Sequence, residues 1–209
     1  MALITKKFRK SGEGAIASFP YSDIAEGTGL TLFYGAKIDY NFASSAILTT
    51  AQVFSTAVET VKYNPEGAWS SKIELNFDSV PLNLPKIMKG TAFVSVPTYY
   101  DRAVGNLSYY PYVEIHKING ANDTLIGSAS GSIITCTADT ERIVCLKVPC
   151  TTTYFNSTDQ IRLKVQIWAV DEGDDNGYLY LGHDPQNRDG AKITTNTQLI
   201  FYAPFKIDT

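Results

Sequence analysis

Histidine is scarce in this chain, and the scarcity narrows its chemistry before anything else is read. Only His116 and His183 occur in 209 residues, whereas acid–base and nucleophilic catalysis near neutral pH rely on histidine more than on any other group. His116 lies in an alternating run between Ile115 and Lys117 and reads as a solvent-facing or satisfied structural residue. His183 belongs to Gly182-His183-Asp184-Pro185-Gln186-Asn187-Arg188-Asp189-Gly190. That cluster could hold a polar ligand, but its Gly, Asp-Pro and Asp-Gly steps are also what a plain loop uses to turn, and the turn is the preferred reading. No Gly-x-Ser-x-Gly elbow is present, so a serine hydrolase has no motif to rest on. No catalytic residue is assigned, and the chain is expected not to be an enzyme.

Cysteine is nearly as sparse. Cys136, Cys145 and Cys150 form neither Cys-x-x-Cys nor part of a zinc spacing, and no His-x-x-x-His accompanies them. The first ten residues lack an apolar core of the kind a secretory leader carries, so free thiols are expected. The acidic run Asp171 to Gly177 fails as a calcium loop of the EF-hand type, with Gly173 at the third position, Asn176 where glycine is required and Gly182 where the bidentate glutamate belongs. Glu26-Gly27-Thr28-Gly29 has the glycines of a phosphate turn but leads into a strand pattern rather than a helix. No metal and no cofactor are expected. Long apolar runs are missing too: none reaches 18 residues, and no membrane span is expected.

Positive charge is in slight deficit, with 18 Lys and Arg against 21 Asp and Glu. It is also unevenly placed. Lys6, Lys7, Arg9 and Lys10 put four cations in the first ten residues, leaving a weakly acidic body that does not suit a nucleic-acid binder. Residues 1–14, with Gly12 and Gly14, read as a flexible basic arm, and residues 15–209 as one domain. The arm is a candidate interaction element, against a neighbouring subunit or an acidic surface.

What the chain does hold is strand chemistry. Val, Ile and Thr number 12, 18 and 21, with 25 aromatic residues and only 8 Glu. Side chains branched at Cβ lose rotamer freedom in helices and pack well on pleated sheets. Alternation is clean at Ile73, Leu75 and Phe77, and over Ile161, Leu163, Val165, Ile167 and Ala169, with Arg162, Lys164, Gln166 and Trp168 opposed. One apolar and one wet face is the mark of antiparallel architecture. Further strands are expected at residues 30–34, 91–97, 110–118, 125–137, 142–148, 177–182 and 193–207. Asn119-Gly120 reads as a type I′ hairpin turn, and Ala138 to Glu141 as a second hairpin that sets Cys136 opposite Cys145. Ser44 to Val61 carries Ala46, Ile47, Val53, Ala57, Val58 and Val61, which could form one face of a helix, but is rich in Ser and Thr, and is assigned to strand and loop. The sum is an all-β chain, a two-sheet antiparallel β-sandwich, with unequal connections that favour a jelly roll.

Tyrosines crowd one region: Tyr99, Tyr100, Tyr109, Tyr110 and Tyr112 flank the segment 101–108. Exposed tyrosine serves subunit interfaces and sugar-binding faces alike, and can equally cap a sandwich end with its hydroxyl wet. All three readings stay open.

The run Phe19-Pro20-Tyr21-Ser22-Asp23-Ile24-Ala25-Glu26-Gly27-Thr28-Gly29, then Phe33-Tyr34-Gly35, Leu181-Gly182-His183-Asp184-Pro185 and Phe201-Tyr202-Ala203-Pro204-Phe205, resembles small β-rich virion proteins of tailed bacteriophages. The resemblance is diffuse and carries no catalytic residue. It implies a capsid-associated decoration protein located in the virion and assembled in the host cytoplasm, working as a homo-oligomer such as a trimer against the major capsid protein or other virion proteins. Two alternatives remain: a shell-forming jelly-roll capsid protein with an internal basic arm, and a carbohydrate-binding module for host attachment.

Overall fold

A computed structural model describes residues 28–40, 43–64, 67–101, 107–171 and 177–206. The described residues form twelve strands and no helix: β1 (Thr28–Tyr40), β2 (Ala43–Thr49), β3 (Glu59–Asn64), β4 (Gly67–Ser79), β5 (Lys86–Asp101), β6 (Leu107–Asn119), β7 (Asn122–Ser130), β8 (Ile134–Cys136), β9 (Thr140–Phe155), β10 (Gln160–Asp171), β11 (Gly177–Gly182) and β12 (Ile200–Lys206). The chain is all-β as expected, though its strands join in one mixed sheet, and residues 44–61 are strand, loop and strand as expected.

Hydrogen bonding links the strands in the order β3-β11-β5-β12-β1-β2-β4-β10-β6-β7, with β9 added on β5 and β8 on β6. All ladders are antiparallel but one. Where β2 meets β4 the pairing is parallel and only two pairs long, Ile47 with Asp78 and Leu48 with Ser79. This seam divides the sheet into two layers, one built on β5, β12 and β1, the other on β4, β10 and β6. The layers face each other across the core. A Cβ on Gly35 of β1 would lie 2.5 Å from Leu199 Cδ2 and 3.1 Å from Phe77 Cε1 on β4, so glycine is what lets the layers close there. Thr98 of β5 hydrogen-bonds the Tyr109 hydroxyl of β6 at 3.0 Å across the same interior.

The second edge of the sandwich is shut by β7 against β9. Thr151 Oγ1 donates to the Ile126 carbonyl at 3.1 Å, and a Cβ on Gly127 would sit 2.6 Å from the Pro149 carbonyl oxygen. Backbone cannot retreat as a side-chain tip can. Gly127→Ala is accordingly expected to destabilise by about 1–3 kcal/mol, read as a lowered midpoint in urea with an unchanged slope.

Alternation decides the faces. In β10 the residues Ile161, Leu163, Val165, Ile167 and Ala169 are buried to the last, while Arg162, Lys164 and Trp168 look outward. Burying that stripe at roughly 25 cal/mol per Å² is the driving term for the layer. Several sequence expectations are corrected. The β6–β7 hairpin pairs Asn119 with Asn122, so the turn residues are Gly120 and Ala121, not Asn119 and Gly120. Gly120 has φ +57° and Ala121 does not share it, the signature of a type II′ turn. Residues 138–139 do not close a hairpin either. β8 pairs with β6 and β9 with β5, so this short link crosses from one layer to the other. Cys136 faces Leu107 and Cys145 faces Ser95, and all three thiols are free. The final expected strand is also shorter than its pattern: residues 183–199 run irregularly before β12 begins at Ile200.

Candidate functional site

The five tyrosines do not form one surface. Period two puts Tyr109 inward and Tyr110 and Tyr112 outward on β6. Tyr109 is wholly buried, and burial pushes its hydroxyl up to about 12 against the opposing effect of the Thr98 bond. Tyr100 of β5 is wholly buried as well, with its ring filling the space beside Gly177. These two are core residues, which corrects their assignment as interaction residues. Tyr99 is half-buried on the opposite layer from Tyr110, edge-on to Tyr180 at 5.9 Å. Lys6, Lys7, Arg9 and Lys10 lie outside the described residues.

What the tyrosine reading missed is tryptophan. Trp168 stands opposite Tyr110 in the β10–β6 ladder, with the two rings parallel to within 4° and 6.4 Å apart. Two register shifts between β10 and β4 bring Trp69 to 5.2 Å from Tyr110. The signal was in the sequence, since Trp168 holds a polar-face position in the β10 alternation. Trp168 Nε1 donates to Gln166 Oε1 at 3.0 Å, and Gln166 Nε2 donates to Glu74 Oε2 at 2.6 Å, so the indole is oriented through a chain of fixed groups.

Beyond the aromatics the same face carries an ion network. Arg162 grips Asp78 through Nε and Nη2, at 2.6 and 2.8 Å, and reaches Asp123 at 3.1 Å. Lys164 lies between Glu74 and Glu114 at 3.4 and 3.5 Å. His116 bridges Asp123 and Glu114, a satisfied structural histidine as expected. Burial works against ionised Glu114, but hydrogen bonds from His116 and Tyr112 together with the Lys164 charge outweigh it and lower its pKa.

His183 is fully buried between the layers, its Nε2 2.9 Å from Thr60 Oγ1 and its ring 6.1 Å from Phe77. Burial depresses its pKa to about 4, so the imidazole is neutral near pH 7. The neighbouring carboxylate is committed elsewhere. Asp184 accepts from Arg188 N and Nε at 2.8 and 2.9 Å and from Nη2 at 3.0 Å, and these bonds lower its pKa despite burial. Among the described residues Thr60 and His183 are thus a hydroxyl–imidazole pair with no carboxylate on the other ring nitrogen. The 183–190 cluster is a turn tied to neighbouring segments, with Asn187 at φ 54° and its Oδ1 accepting from Thr197 N at 2.9 Å. No group of three metal-ligating side chains occurs among the described residues.

The seam between β2 and β4 opens into a groove of about 790 Å³. Phe33, Ala46, Ile47 and Leu82 line it, and Val80 and Leu84 stand at its rim, 75% and 68% exposed. Two pairs are too few to zip the strands together, so the groove is a direct result of the parallel junction.

No protein-family model matches the sequence, and no curated protein is similar to it. Solved structures are similar in fold. An alpha-amino acid ester hydrolase superposes with a TM-score of 0.55 at 9% identity, over 84% of this chain and 36% of that one. An aminopeptidase from the marine sediment archaeon Thaumarchaeota archaeon gives 0.54 at 7%, over 87% and 37%. A CocE/NonD family hydrolase from Staphylococcus aureus gives 0.51 at 8%, over 86% and 36%. The chain therefore spans little more than a third of each. Particle structures of infectious bursal disease virus also match, at a TM-score of 0.32 and 10% identity, too loosely to bear on fold or role. The hydrolases correct one expectation. A chain short of histidine and lacking a nucleophile elbow is expected not to be an enzyme, yet these three hydrolases share its fold, so those two absences do not place it outside enzymes.

Proposed function

We propose that the chain is a structural component of a virus particle that docks onto copies of itself and onto shell proteins, as a capsid-decorating homo-oligomer. The observation that carries this is the seam groove, whose rim exposes Val80 and Leu84 beside a lining of Phe33, Ile47 and Leu82. Large apolar side chains at a concave rim mark contact surfaces. The resemblance to phage virion proteins and the cluster of Lys6, Lys7, Arg9 and Lys10 in the first ten residues support the same reading. The full chain is expected to sediment as an oligomer and to bind shells that lack it. Val80→Asp combined with Leu84→Asp is expected to weaken self-association roughly tenfold or more, since each buried side chain of this size contributes about 1.5–3 kcal/mol. A monomer that ignores such shells overturns the proposal.

The shared fold favours a second reading, that of a β module of a hydrolase acting on esters or peptides of amino acids. Cleavage of α-amino acid esters by the full chain, lost in Thr60→Val, supports it. No cleavage, or cleavage indifferent to that change, ends the case for the Thr60–His183 pair.

A further inference from the structure

The aromatic end of the outer face of the β4–β10–β6 layer, around Trp69, lies at the far end of β4 from the groove residues Asp78 and Ser79 and has no role in either reading above. It gathers both tryptophans of the chain. Trp69 is 39% exposed, and Tyr110, Tyr112 and Trp168 are half-buried around it. Two of these rings are held by hydrogen bonds: Trp168 by Gln166 and through it Glu74, and Tyr112 by its hydroxyl donating to Glu114 Oε1 at 3.1 Å. Hydrophobicity alone would turn such rings inward. Here the pleat and the register shifts at Trp168 and Ala169 hold them at the surface beside carboxylates, an amide and the hydroxyls of Ser108 and Thr135, which bond each other at 3.0 Å.

We propose that this platform binds an uncharged carbohydrate chain, with sugar C–H faces packed on Trp69, Tyr110 and Trp168 and sugar hydroxyls bonded to Glu74, Glu114 and the Tyr112 hydroxyl. The charge around the rings selects this occupant. Nearest the rings the ion network sets one cation, Lys164, against two carboxylates, Glu74 and Glu114. An acidic field repels nucleic acid, sulfated glycans and sialylated glycans. It repels a second copy of the same face as well, because a two-fold contact would lay like charge on like. A neutral polyol meets no such penalty: it offers apolar C–H patches to rings and hydroxyl donors to carboxylates. Trp168 and Tyr112, already held by hydrogen bonds, bind it with little further loss of rotamer freedom.

The two tryptophans make the site self-reporting. An array of neutral, sialylated and sulfated oligosaccharides, probed with the full chain, is expected to give hits confined to neutral glycans. Titration of the best neutral oligosaccharide is expected to shift or quench the tryptophan emission of the unmodified protein. Trp69→Ala and Tyr110→Ala are each expected to weaken binding roughly tenfold or more, while Tyr99→Ala, on the other layer, leaves it unchanged. An array without neutral hits, a preference for anionic glycans, or binding with silent tryptophan emission overturns the proposal. So does full affinity in Trp69→Ala.

Discussion

Phe77→Ala is expected to remove about 3–5 kcal/mol of stability, a large part of the roughly 5–15 kcal/mol that holds a typical folded domain. Phe77 is fully buried on β4 and pairs in register with Leu163 of β10. Its ring edge stands against the bare backbone of Gly35 on the facing layer and near the imidazole of His183. The ring, with Leu199, fills the space beside Gly35, and alanine leaves a void that glycine on the other side cannot fill. Urea unfolding followed by tryptophan emission measures the loss. A cost under 1 kcal/mol would show that the layers collapse onto the void, and that the contact at Gly35 is not a close one. The partner change Gly35→Ala should also destabilise, by overpacking, and the two changes should be non-additive because they share one space.

Asp184→Ala is expected to cost about 2–3 kcal/mol. Asp184 is fully buried and takes three hydrogen bonds from Arg188. Arg188 in turn donates to the Ser55 carbonyl at 2.5 Å and lies 4.0 Å over the Phe54 ring. The carboxylate therefore fastens the irregular 183–199 segment to the 50–58 loop, and removing it strands a guanidinium. Breaking a fully buried pair costs about 3–5 kcal/mol; Arg188 is one-third exposed, and water recovers part of that.

The same region makes stability fall with acid in two stages. His183 titrates at about 4 in the folded chain against 6.5 when unfolded, so the unfolded state binds the extra proton first and stability declines as pH drops from about 6.5 towards 4. Asp184 is lowered from 3.8, so its contribution is present above that value and is lost below it. Urea midpoints measured from pH 7 to pH 3 should show both stages. His183→Gln should remove only the upper one. A midpoint flat between pH 6.5 and 4.5 would contradict the burial of a neutral imidazole.

Much of this architecture could be read along the chain. The β10 run Ile161 to Ala169 alternates so regularly that its inner face is assigned residue by residue and holds, while on the outer face Gln166, expected to be wet, is buried beneath Trp168 and Glu74. Cβ-branched content, the turn residues and the scarcity of glutamate pointed to an all-β chain, because propensity and periodicity act through near neighbours. Turn frames were less legible. Gly120 was recognised as a turn residue, but its pairing, and so its turn type, depends on the register with β7. The 138–139 link looks like a hairpin until the strands on either side are seen in different layers.

The candidate sites divide the same way. Tyr99, Tyr100, Tyr109, Tyr110 and Tyr112 are neighbours in sequence, but pleating sends Tyr100 and Tyr109 into the core and puts Tyr99 and Tyr110 on opposite layers. Trp69, 99 residues before Trp168, joins Tyr110 only through two register shifts. Val80 and Leu84 become a rim only because β2 and β4 meet in parallel for two pairs. Local alternation sets which way a side chain points, and the chain carries that by itself. Which distant side chains share a surface depends on strand order, and strand order is settled by the packing of the two layers against each other.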